Sequence, residues 1–308
     1  MNNALYMVWN PSEGFDLGFI TLRFYSLMFV VAFGLGWYIM KPIFERDGLS
    51  VEKLDNVFVY TVVATLLGAR LGHVFFYDWA YFKNHLLEIL LPIRETADGW
   101  EFTGFAGLAS HGAAIVIIIA MIIIKRKKII DKPLLWILDR IVIPVASGAI
   151  FVRLGNFFNS EIVGKETTSS FGIKFIRDKF TPREAFEKTN ISDVNDAYKA
   201  IETNPQFSDV LAEVTPKHPA QLYEALGYVF VFAILFYMYW KTDARNKQGL
   251  LFGTFLVLLW TVRFIVEYVK ESQGGFEESL GLLSTGQWLS IPFVIAGIFF
   301  MFRAKKSA

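Results

Sequence analysis

The 308-residue chain contains no cysteine. Structural disulfides, thiolate metal sites and a cysteine nucleophile supplied by the protein itself are therefore excluded, while the compartment is left open. Charge is scarce as well: Asp, Glu, Lys and Arg make up 19% of the chain, against about 25% in soluble domains. A formal net charge of +1 gives no electrostatic footprint for nucleic acid. No Lys or Arg precedes Arg23. The basic region that opens a cleavable signal peptide is thus missing, and the first apolar segment is expected to be retained. Internal repeats and low-complexity tracts are not evident.

Apolar surface is what the chain has in surplus, with 54% hydrophobic residues. A bilayer core of about 30 Å takes roughly 20 residues of helix, and GAAIVIIIAMIIIKRKK is the plainest run of that kind. Hydropathy and loop punctuation predict seven spans, at 17–40, 55–77, 105–124, 134–158, 219–240, 248–269 and 285–302. The expected fold class is an all-α polytopic membrane protein with seven transmembrane helices. Cations crowd one set of connections: Lys41, Arg46 and Lys53; Lys125 to Lys128 and Lys132; Lys241, Arg245 and Lys247; Arg303, Lys305 and Lys306. The opposite set has only Lys83, Arg94 and Lys270. The positive-inside rule then puts the N-terminus outside and the C-terminus in the cytoplasm.

The long connection, 159–218, is left out of that count and falls outside. TPREAF offers Thr181 as an N-cap, Pro182 at the first helical position and Glu184 for a capping box, and SDVNDAYKAIE starts a second short helix. The organisation expected is a single membrane domain, 1–308, with an extracytoplasmic insertion at 159–218.

Five cations remain inside the spans, and all are arginine: Arg23, Arg70, Arg140, Arg153 and Arg263. Arg140 sits with Asp139 near the cytoplasmic end of the fourth span, and the other four share the outer side. An arginine at a helix end can snorkel to the headgroups at little cost. Around the same outer ends, however, stand Tyr25, His73, His111, Asn156, Asn159, Glu161, Gln221, Tyr223, Glu224, Glu267 and Gln287. Snorkelling explains single residues but not such a gathering, and ionisable groups within membrane reach mark a functional site by default. Guanidinium forks suit phosphate. A phospholipid headgroup at the outer leaflet is the ligand these residues fit. A metal site is not expected, because His73, His85 and His218 form no ligand set.

The stretch RLGNFFNSEIVG, Arg153 to Gly164, resembles the signature of the bacterial prolipoprotein diacylglyceryl transferases. Further stretches agree in order along nearly the whole chain: LRFYSLMF, GARLGHVFFY, ASHGAA, HPAQLYEA, RFIVEYVKE and STGQWLSIPF. Two departures are Tyr25-Ser26, where the family commonly has Tyr-Gly, and His111-Gly112-Ala113, where it has His-Gly-Gly. The resemblance implies an enzyme of the bacterial plasma (inner) membrane, without cofactor, acting at the outer leaflet. It would move the diacylglyceryl group of phosphatidylglycerol to the lipobox cysteine thiol of a prolipoprotein and release glycerol phosphate.

Under that resemblance the catalytic set is His111, Arg153 and Arg263. His111 is either the base for a thiol that reacts only once deprotonated or a residue that positions substrate; Arg153 and Arg263 stabilise the departing phosphate. Arg153, Arg263, Tyr25 and Asn156 bind the phospholipid. Asn159, Glu161, Gly164, Glu267, Gln221, Tyr223, Glu224 and Gln287 support them, with Glu267 spaced to pair with Arg263 and Gly164 suited to a turn. The alternatives are a non-catalytic phospholipid-binding receptor, which needs the same arginines, and a transporter, which more often has midplane sites and repeated halves.

Overall fold

A computed structural model describes residues 6–18, 21–91, 93–96, 99–102, 107, 109–272 and 281–306. Helices stand on each of the apolar segments: α1 (Phe24–Arg46), α2 (Val51–Phe76), α3 (Ser110–Arg126) and α4 (Leu134–Phe158) precede the long connection. Within it lie α5 (Pro182–Thr189) and α6 (Val194–Thr203), followed by α7 (Ala220–Lys241), α8 (Leu250–Val266) and α9 (Thr285–Arg303). By length and composition α1, α2, α4, α7 and α9 can cross a membrane, and α8 is a shorter apolar helix. Helices α3 and α8 have 17 residues each, about 26 Å at 1.5 Å per residue. Sheet is confined, among the described residues, to two-stranded pairs that do not close.

The first helix starts later than hydropathy suggests. Gly14–Asp16 pairs antiparallel with Thr21–Arg23, and the N–H of Phe24 donates to Glu13 O at 2.9 Å. That ribbon satisfies the backbone before α1 begins. The start of the expected third span, at 105, 106 and 108, lies outside the described residues.

Two compact units divide the chain: Trp37–Leu138, and Met1–Gly36 with Asp139–Ala308. In the Trp37–Leu138 unit α2 and α3 pack through glycine, since a Cβ on Gly68 would come within 2.6 Å of Gly112 O. Small residues at such a crossing let helix backbones approach in lipid. The segment after α2 is held by Arg70, whose guanidinium donates to the carbonyls of Glu88 and Ile89 and lies 4.7 Å from the Phe82 ring centroid.

In the other unit the signals read at TPREAF are realised: Thr181 and Glu184 form both halves of a capping box, and Pro182 is at N1. Asp193 caps α6 through the N–H of Asp196 at 2.9 Å. These short helices close over Ile176, Phe180, Ala185, Ala197, Tyr198, Ile201 and Val214. A parallel pair, Met7–Trp9 with Ile173–Phe175, brings Trp9 onto Phe157 at the end of α4, with ring centroids 4.2 Å apart. The Trp9 indole N–H donates to Phe157 O at 2.9 Å. The end of α4 is anchored by these contacts.

Candidate active site

Arg153 lies in the last turns of α4 and is buried. Its Nε pairs with the carboxylate of Glu224 on α7, and its Nη1 donates to Asn156 Oδ1 at 3.2 Å. Asn156 Nδ2 passes the chain on to Glu161 Oε1 at 2.7 Å, and Asn159 Nδ2 reaches the same oxygen at 3.5 Å. The spacing of the signature thus has a physical reason: Arg153 and Asn156 are one turn apart on a helix, and the turn after α4 folds Glu161 back onto them. Tyr25 joins from α1, with Asn156, Arg153 and Glu161 as its polar neighbours. Its ring lies against Gly155, where a Cβ would fall 2.8 Å from Tyr25 Cδ2.

The turn itself is tightly wound, with Ser160 and Ile162 at positive φ (54° and 61°). A β-branched residue there is an outlier, and it is held by Gln221 Nε2 donating to Glu161 O at 2.7 Å and by Glu161 N–H donating to Asn156 O at 3.0 Å. Gly164 differs from the sequence expectation. It is needed for close approach and not for a turn, because a Cβ would meet His218 Cβ at 2.6 Å and the carbonyl oxygens of His218 and Val269 at 2.7 Å.

Helix α7 presents Gln221, Glu224 and Tyr228 on one buried face, at the spacing of a helical stripe. Tyr228 hydrogen-bonds Arg153 and has both Glu224 and Arg263 as charged neighbours. Arg153 on α4 and Arg263 on α8 are therefore drawn around one tyrosine. Sequence reasoning passed over Tyr228, which its place seven residues after Gln221 and four after Glu224 could have revealed. Tyr223, on another face, bonds His218 Nδ1 through its hydroxyl at 3.2 Å and stays outside this group.

The Arg263 guanidinium lies 5.6 Å from the ring centroid of Trp260, which stacks on Phe293 of α9 at 4.2 Å. Gln287 caps α9 with Ser284 and donates Nε2 to Phe264 O at 3.3 Å, tying α9 to α8 next to that arginine. Glu267 does not take the partner its spacing suggested: its carboxylate meets the ammonium of Lys270 at 3.5 Å. Lys270 is buried, and burial, reinforced by Arg263, lowers its pKa below the ordinary lysine value. Read as a loop cation, it was the second residue missed.

The remaining candidates are placed as follows in the chain. Arg23 is exposed on its strand, and Arg70 is spent on the carbonyls already described. His111 lies in the first turn of α3, in the Trp37–Leu138 unit, whereas Arg153 and Arg263 belong to the other. Asp139 accepts the N–H groups of Gly249 and Phe252 at 2.7 and 2.8 Å and so caps α8 from a different helix. Arg140 Nη2 donates to Arg245 O at 3.1 Å. Near Tyr228, buried Arg263 Nε makes no hydrogen bond with any described residue. A guanidinium donor left without a partner is suited to an anionic ligand.

The profile of the prolipoprotein diacylglyceryl transferases matches residues 13–303. The chain belongs to this family. It is a transferase on that ground. A relative from Bacteroides fragilis is 35% identical over 309 residues, covering 99% of this chain and 98% of its own length. One from Chloroherpeton thalassium is 35% identical, covering 100% and 98%, and one from Tolumonas auensis is 36% identical, covering 97% and 98%. All three are named phosphatidylglycerol–prolipoprotein diacylglyceryl transferase.

Proposed function

We propose that this chain transfers the diacylglyceryl group of phosphatidylglycerol to the thiol of a prolipoprotein lipobox cysteine, the first step of lipoprotein maturation. The thiolate sulfur attacks the diacylglyceryl carbon bonded to the phosphate oxygen. A thioether bond forms as that carbon–oxygen bond breaks, and the electron pair leaves with glycerol phosphate. What carries this reading is the match over nearly the whole chain to a family and relatives that bear that activity in their names, with buried Arg153 bonded to Tyr228 and Arg263 a charged neighbour of the same tyrosine.

Preplaced guanidinium groups stabilise charge as it develops on the leaving phosphate. Asn156, Glu161 and Glu224 hold the Arg153 fork in orientation, and Trp260 does the same for Arg263. His111 is assigned the thiol proton. The chain, in this reading, crosses the bacterial inner membrane seven times, with the N-terminus and the 159–218 insertion outside, the C-terminus cytoplasmic and the site open to the outer leaflet. The absence of cysteine fits, because the reacting thiol comes from the partner.

The test is to incubate purified protein with labelled phosphatidylglycerol and a lipobox peptide. Thioether product is expected. Binding of the lipid without product would overturn the transferase reading in favour of a phospholipid receptor. In the same assay His111→Gln should slow turnover while lipid binding is retained; equal loss of both would make His111 a binding residue and not the base.

A further inference from the structure

Helices α7 and α8 approach through a glycine: a Cβ on Gly227 would fall 2.4 Å from Val262 Cγ1. The next residues along the two helices are Tyr228 and Arg263, so the contact that a small residue permits sets the phenol beside the second arginine. Tyr228 is 3% exposed. A tyrosine buried to that degree keeps its hydroxyl hydrogen-bonded, and the partner comes from a third helix, as Arg153 of α4. Arginine has no acceptor. The Tyr228 oxygen therefore accepts, and the Arg153 guanidinium is fixed by Glu224 at Nε, by Asn156 Oδ1 at Nη1 and by the phenol.

These partners act differently. Asn156 lies one turn from Arg153 on α4 itself, so it steadies the fork without directing it to another helix. Glu224 supplies the opposite charge. The phenol is the oxygen that stands at the contact of α7 with α8, with Arg263 as a charged neighbour. It draws Arg153 toward α8 and adds no second negative charge that would compete with a phosphate.

Resting on the phosphatidylglycerol reading above, we propose that Tyr228 is a positioning residue of the reaction, whose hydroxyl holds Arg153 toward Arg263 so that both guanidinium groups meet the same departing phosphate. Two like charges at close quarters repel. Without the hydroxyl the fork of Arg153 would turn away and would have to be reoriented during the reaction, a cost that preplaced donors avoid. The loss then falls on the transition state more than on the bound lipid.

Tyr228→Phe removes one oxygen atom and keeps the ring that fills the helix contact. With phosphatidylglycerol carried in phosphatidylcholine bicelles and saturating lipobox peptide, kcat should fall about tenfold or more, the effect of one hydrogen bond to a charged group. KM should stay within about threefold of the wild type. The Kd for glycerol phosphate, the leaving group, should rise about tenfold. In the Arg153→Lys background, where the fork is already gone, Tyr228→Phe should cost less than about twofold in kcat. An undiminished loss in that background would mean that the tyrosine acts apart from the fork and would overturn the proposal. So would an unchanged kcat, an unchanged Kd for glycerol phosphate, or a fall in kcat that merely follows a loss of folded protein in thermal melts. Failure of the wild type to form thioether would instead overturn the transferase reading, and the comparison of Kd for glycerol phosphate, which needs no turnover, would then decide the role of Tyr228.

Discussion

Helix α4 carries charged residues near both ends, and the two ends use them differently. At its N-terminal end Asp139 is fully buried and its two oxygens are taken by the backbone N–H groups of Gly249 and Phe252. Arg140 next to it donates to a backbone carbonyl and lies 5.8 Å from the Tyr239 ring centroid. Backbone partners are fixed, so this end welds α4 to the start of α8. At the C-terminal end Arg153 is held by side chains, Glu224 and Asn156. Side-chain partners can be exchanged for a ligand. Burial alone therefore does not separate the two ends; the identity of their partners does.

That contrast can be broken by substitution, most severely at Arg153. Arg153→Lys keeps the charge but removes the fork that engages Glu224, Asn156 and Tyr228 together, so kcat/KM should fall about a hundredfold or more in a protein that still folds; near wild-type turnover would contradict the role. Next comes Gly164→Ala, which puts a methyl group against two backbone carbonyls. Overpacking of this kind costs about 1–3 kcal/mol, and because this crossing follows directly on the turn that places Glu161 against Asn156, thermal stability and activity should decline together. The smallest effect on catalysis is expected from Asp139→Asn. An amide can accept at only one of its two heads, which orphans a buried N–H at about 1–3 kcal/mol; Tm should drop while the folded fraction keeps its kcat/KM. A large fall in kcat/KM at unchanged Tm would place chemistry at the wrong end of the helix.

Much of this was legible in the chain. The helical segments follow from hydropathy, the insertion's first helix from Thr181-Pro182-Glu184, and the hydrogen-bonded group of Arg153, Asn156, Asn159 and Glu161 from polar residues massed at one end of an apolar run. Other features depend on contacts far apart in sequence. Lys270 looks like a loop cation until the 163–165 and 217–218 segments cover it. Gly164 looks like a turn glycine, although what it lacks space for is His218, 54 residues on. The first span was expected from residue 17, yet Thr21–Arg23 pairs with Gly14–Asp16 and α1 begins only at Phe24. Arg70 matches Arg153 in position along a span but is consumed by the carbonyls at 88 and 89, which hydropathy does not register. Periodicity identifies faces, while partners are chosen by the tertiary fold.

The proposed reaction requires Arg153 and Arg263 to act on one phosphate. A double-mutant cycle on kcat/KM, with Arg153→Lys, Arg263→Lys and both together, tests this most directly. The expected result is strong non-additivity, the double variant losing far less than the product of the two single losses. Losses that multiply would mean that the two arginines work at independent places, and the shared site would have to be abandoned.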